Sequence, residues 1–150
     1  MRPYVKALEK RELKASAIDL PVGKAERAMP VFAQKVPAGS IAGGHSFGGR
    51  VASMVATEVN YAALVLLSYP LHRPGHPDDL RTEHWTKITC PVLFLSGESD
   101  PFARLELLKS SVRRLPQAEL LTFPGVGHGL LPVIDAAMDR VAAFVRKLRP

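Results

Sequence analysis

Gly43-Gly44-His45-Ser46-Phe47-Gly48-Gly49-Arg50 is the stretch whose reading decides the fold. Before it, Ser40-Ile41-Ala42 is a short apolar run; after it, Val51 to Ala56 places Val51, Met54 and Val55 on one helical face. The stretch therefore lies between a strand and a helix. Within it, residues 44–48 fit G-x-S-x-G, a nucleophile elbow in which the serine oxygen stands above the edge of a sheet. A Cβ at either flanking glycine would collide where the backbone turns so tightly, and glycine tolerates positive φ at little cost. Ser46 then carries the strained conformation, and the helix N-terminus behind it favours developing negative charge.

So short a pattern gains weight only from its context, and the deciding question is whether an acid and then a histidine follow it, each past the end of a later strand. They do. Pro91 to Ser96 (PVLFLS) reads as a buried parallel strand running into Gly97-Glu98-Ser99-Asp100-Pro101. Ala118 to Phe123 (AELLTF) reads as a strand, followed by Pro124-Gly125-Val126-Gly127-His128-Gly129. Parallel strands end at one edge of their sheet, so Ser46, Asp100 and His128 can converge as nucleophile, orienting acid and base. The plain alternatives are a tight-turn serine at Ser46 and a helix-capping aspartate before Pro101, a duty that competes with the triad for the same carboxylate. Glu98 is a second candidate acid.

These residues resemble the α/β-hydrolases over nearly the whole chain. The elbow, Leu67-Ser68-Tyr69-Pro70-Leu71-His72, Leu80-Arg81-Thr82-Glu83-His84 and Gly97 to Phe102 carry the resemblance. They are most similar to a branch of predicted bacterial hydrolases akin to the dienelactone-hydrolase group, which includes a hydrolase-like subunit of a chromatin-modifying complex. The resemblance implies Ser46 as nucleophile, Asp100 as acid, His128 as base and a mostly parallel sheet flanked by helices. It also implies strands upstream of the one expected at Lys14 to Leu20, and a loop donating an oxyanion-hole N–H, for which the sequence has no counterpart. The expectation is thus an N-terminally truncated hydrolase sheet of about five strands, with Met1 to Leu13 as the family's first helix and a gap where a middle strand would pair. Such a gap leaves room for strand exchange in a homo-oligomer.

The 150 residues suit a single domain, short for this fold, with 69–87 as a cap or substrate-facing loop. The mean hydropathy of +0.05 fits a globular chain. There is no secretory leader pattern and no apolar run long enough to span a bilayer, so the cytoplasm is the expected location and no membrane partner is expected. Cys90 is the lone cysteine and reads as packing at the start of a buried strand. The formal charge of +6 does not imply nucleic acid. The cations gather at Lys6 to Lys14, Arg113-Arg114 and Arg146 to Arg149, beside helix-type apolar positions, without interleaved aromatic platforms.

In chain order, Pro3 opens a helix with Tyr4, Val5 and Leu8 on one face. Gly23 to Val36 reads as a helix that Pro30 bends or divides. Ala62 to Ser68 reads as a central parallel strand. Between Tyr69 and Lys87 the prolines, charges and His72, His76 and His84 show little periodicity; the histidine spacing fits no metal site, and no metal or cofactor is expected. Tyr69 and His72 are candidate substrate contacts, and Trp85 the anchor of the segment. Leu105, Leu108, Val112 and Leu115 form one helical stripe; Ile134, Met138, Val141, Val145 and Leu148 form another.

The implied reaction is hydrolysis of an ester-like bond in a small acyl substrate through an acyl-enzyme, with the Phe47 N–H as the available oxyanion donor. The competing readings are a non-catalytic hydrolase-like interaction module and an inactive fragment. The substrate itself is not written in the motifs.

Overall fold

The computed structural model describes residues 1–148. Its centre is a four-stranded parallel sheet in the order β1-β2-β3-β4, formed by Ile41–His45, Ala63–Leu67, Val92–Gly97 and Ala118–Phe123. Ile41 pairs with Ala63, Leu64 with Val92 and Val92 with Ala118, and each pairing continues in step to the carboxyl ends. Five helices, α1 (Arg2–Glu9), α2 (Ala25–Lys35), α3 (Phe47–Val55), α4 (Leu105–Val112) and α5 (Ile134–Lys147), cover the sheet. Arg149, placed above in the last of the cation clusters, lies outside the described residues.

The apolar runs of β2 and β3 serve both faces because side chains alternate along a strand. Leu64, Leu66, Val92 and Phe94 join a core with Ala28 and Phe32 of α2, Val51 and Val55 of α3, and Leu108 and Val112 of α4. Ala63, Leu67, Leu93 and Leu95 join the opposite core with Tyr4 and Ala7 of α1 and Met138, Val141 and Phe144 of α5. The stripes read from the sequence supply these helix faces, except for Val5 and Leu105, which join neither core.

Three expectations need correction. Lys14 to Leu20 forms no strand, so the sheet has four strands rather than about five. A strand exists only through a neighbour's hydrogen bonds, and β1, whose one partner is β2, is an edge strand among the described residues. Ile18 and Leu20 instead pack loosely on the first core, and Lys35 Nζ donates to the Asp19 carbonyl at 3.4 Å. Secondly, Pro30 does not divide α2. Thirdly, a Cβ at Gly48 would meet nothing within 4 Å; Gly44, where a Cβ would lie 2.5 Å from the Gly48 carbonyl carbon, and Gly49, where it would lie 2.9 Å from the Gly44 oxygen, set the close approach of strand and helix.

Candidate active site

β1 ends at His45 and α3 begins at Phe47, so the whole reversal falls on Ser46, which has φ 52° and ψ −117°. For a residue with a side chain such a backbone costs about 1–3 kcal/mol, offset by the packing of β1 and α3 around it. Ser68 closes β2 with a similar φ of 51°, but it is fully buried and its Oγ has no partner, whereas Ser46 opens onto a cleft. Exposure thus separates two serines that share a positive φ.

Ser46 Oγ lies 2.7 Å from His128 Nε2, and His128 Nδ1 lies 2.8 Å from Asp100 Oδ2. Asp100 caps no helix, since α4 begins at Leu105 with Arg104 as its N-cap, and its two oxygens divide between a turn and the histidine. Oδ1 accepts the Phe102 N–H at 2.8 Å while Oδ2 faces the imidazole, and the side chain is fully buried. Glu98, the second candidate acid, instead accepts the Thr122 hydroxyl at 2.7 Å. With a carboxylate on Nδ1, the neutral imidazole carries its proton there and presents a bare Nε2 to the serine.

The histidine loop is held from three sides. A Cβ on Gly97 would lie 2.1 Å from the Val126 oxygen, so only glycine at the end of β3 allows the loop to settle there. Phe102 packs on the His128 ring with centroids 4.3 Å apart. From beneath, His45 Nε2 donates to the His128 carbonyl at 3.2 Å; burial is the main cause that holds the His45 ring below its ordinary basicity. Sequence reasoning passed over His45, whose place next to the serine in the elbow was the available signal.

Phe47 is the first residue of α3, so its N–H has no acceptor within the helix. The 69–87 segment yields the other surprise. Tyr69 is 1% exposed; its hydroxyl donates to the Arg81 carbonyl at 2.8 Å and accepts from Trp85 Nε1 at 3.2 Å. His72 is 3% exposed, with Nδ1 donating to the Arg73 carbonyl and Nε2 accepting the Arg104 N–H. Both expected substrate contacts are therefore spent on the scaffold of their own segment. Trp85 is buried against Tyr69 and Phe94, an anchor. The segment does reach the cleft of about 490 Å³ beside Ser46, through Pro70 and Arg81, facing Phe47, Arg50, Phe102 and residues 23–26.

A parallel sheet with a strand–serine–helix reversal, and with an acid and a histidine past two later strands, is the α/β-hydrolase architecture. Residues 4–144 match the alpha/beta hydrolase domain family, and the chain belongs to it. Solved structures share the fold at low identity. A thermophilic esterase from Thermogutta terrifontis is 17% identical with a TM-score of 0.64, the match covering 99% of this chain and 86% of that one. A monoacylglycerol lipase from Paleococcus ferrophilus is 14% identical at a TM-score of 0.67, covering 85% and 77%. An alpha-beta serine hydrolase homologue from Coxiella burnetii is 18% identical at 0.65, covering 94% and 73%. Among the described residues no helix is long and apolar enough to cross a membrane.

Proposed function

We propose that the chain is a serine hydrolase that cleaves an ester-like bond through an acyl-enzyme on Ser46. The observation that carries this reading is the continuous chain of short contacts from Ser46 Oγ to His128 and on to Asp100, 2.7 and 2.8 Å. His128 Nε2 takes the Ser46 proton as Oγ attacks the carbonyl carbon, and Asp100 stabilises the imidazolium that results. The Phe47 N–H, at the N-terminus of α3, faces the oxyanion of the tetrahedral intermediate. Collapse breaks the bond to the leaving alcohol, which takes the proton from His128. Water then attacks the acyl-serine with the same histidine as base, releasing the acid and restoring Ser46. The 69–87 segment acts as the substrate-facing wall through Pro70 and Arg81.

The test is incubation of the purified chain with a fluorophosphonate probe, followed by intact mass. The expected result is one adduct on the parent and none on Ser46→Ala or His128→Ala. A folded parent that stays unlabelled would overturn the hydrolase reading and leave the interaction module in its place.

A further inference from the structure

We propose that the cleft at Ser46 takes esters bearing an anionic oxygen group, a carboxylate or phosphate, which is held between Arg50 and Arg81. This rests on the hydrolase reading above and adds the substrate class.

Both guanidinium-bearing residues line the same cleft as Ser46. Arg50 lies one helical turn beyond the serine, its N–H bonded to the Ser46 carbonyl at 3.1 Å, so both side chains lie on one side of α3. Arg81 belongs to the 69–87 segment, where its N–H donates to the Leu71 carbonyl at 2.8 Å and its carbonyl accepts the Tyr69 hydroxyl at 2.8 Å. Tyr69 is thus a positioning residue for Arg81.

Among the described residues no carboxylate oxygen lies within 4.0 Å of either guanidinium, and Arg50 Nε is buried without a hydrogen-bond partner. Glu26 is the one carboxylate side chain lining the cleft; it is exposed and pairs with neither arginine. Burial first, and Arg50 next, hold Arg81 below its ordinary basicity, which records both the desolvation and the repulsion. Two partly buried like charges raise the free energy of the empty cleft, and an anion between them removes that cost while accepting the planar forks. Lys24, also in the lining, adds a further cation, while Phe47, Pro70 and Phe102 are apolar, so the ligand they fit joins its ester to its anionic end by a short hydrocarbon.

The experiment compares para-nitrophenyl monoadipate with para-nitrophenyl heptanoate, esters of similar length that differ in terminal charge. The expected kcat/KM ratio favours the anionic ester by about tenfold or more, collapses toward unity in Arg81→Gln and in Arg50→Gln, and is partly kept in Arg81→Lys. A ratio at or below unity in the parent overturns the anion site while Ser46 labelling still stands. Independently of turnover, monomethyl adipate should bind Ser46→Ala protein in a titration calorimeter and methyl heptanoate should bind far more weakly. Loss of that preference in Ser46→Ala/Arg81→Gln upholds the site, and its absence in Ser46→Ala overturns it. Inorganic phosphate that displaces monomethyl adipate extends the site to phosphates, and phosphate that does not compete restricts it to carboxylates. Anion binding without fluorophosphonate labelling would sink the hydrolase reading and keep the site.

Discussion

Asp100 divides one carboxylate between a backbone amide and an imidazole, and two substitutions separate the duties. Asp100→Asn keeps an oxygen for the Phe102 N–H but offers His128 an amide, so the imidazole loses the acceptor that fixes its tautomer. The expected outcome is a fall in the fluorophosphonate labelling rate on the order of 10³–10⁴-fold with an unchanged urea midpoint. Asp100→Ala should lower both. Two half-buried histidines set a pH dependence. His45 and His84 are held below the ordinary 6.5, burial being the largest cause in each. His84 Nε2 sits 2.8 Å from the hydroxyl of Ser53, itself donated to the Arg50 carbonyl. Unfolding lets these rings take protons they refuse when folded, so stability is full above about pH 6.5 and is lost as pH falls toward the folded values. The slope is at most about 1.4 kcal/mol per pH unit for each ring. Urea midpoints at pH 7.5 and 5.5 check it, and His84→Gln should flatten the dependence; a midpoint that rises on acidification would refute it.

At the scale of elements, β3 and the histidine loop fit because residue 97 has no side chain. Gly97→Ala would set a Cβ 2.1 Å from the Val126 oxygen and 2.3 Å from the Gly127 oxygen, both backbone atoms that cannot swing aside. We expect a loss of about 1–3 kcal/mol and a labelling rate at least about tenfold lower as His128 shifts. Pro30 is the opposite case: an imino acid five residues into α2, unable to donate to the Glu26 carbonyl. Pro30→Ala should raise the urea stability by about 1–3 kcal/mol without altering Ser46 labelling. The strands at 63–67 and 92–97 were legible because apolar runs bounded by Gly, Pro and Ser report burial on both faces, those at 41–45 and 118–123 because short apolar stretches lead into glycine-rich loops, and the loops past 92–97 and 118–123 displayed Asp100 and His128. Lys14 to Leu20 has the same local texture, but pairing is a property of two segments, and composition is silent about whether the second is there. Tyr69 and His72 failed for a related reason. Their place past a strand end was readable, whereas the direction of a side chain in an irregular segment depends on which backbone carbonyls need donors.

The whole molecule joins its first helix to its last loop through one aromatic side chain, and that joint ties the fold to the site. Tyr4 of α1 is buried under the sheet edge, where its hydroxyl accepts the Leu130 N–H at 3.1 Å, two residues past His128. Its ring stacks on His45 with centroids 5.6 Å apart and planes 21° apart, and His45 in turn holds the His128 carbonyl. Arg11, just after α1, binds Asp139 of α5 at 2.7 Å, but those carboxylates are exposed and such a pair contributes little. The buried contact therefore matters more than the visible ion pair. Tyr4→Phe keeps the stacked ring and removes what is, among the described residues, the acceptor of the buried Leu130 N–H, which costs about 1–3 kcal/mol. Leu130 can recover that bond only by moving, and movement there carries His128 away from Ser46. The expected outcome is a lower urea midpoint together with a several-fold slower labelling of Ser46, with far-ultraviolet circular dichroism unchanged. Arg11→Gln, which breaks the exposed pair on the same helix-to-helix contact, should shift the midpoint by less than about 1 kcal/mol and leave labelling alone. If the two variants lost labelling equally, the coupling would run through the docking of α1 as a body rather than through the Tyr4 hydroxyl.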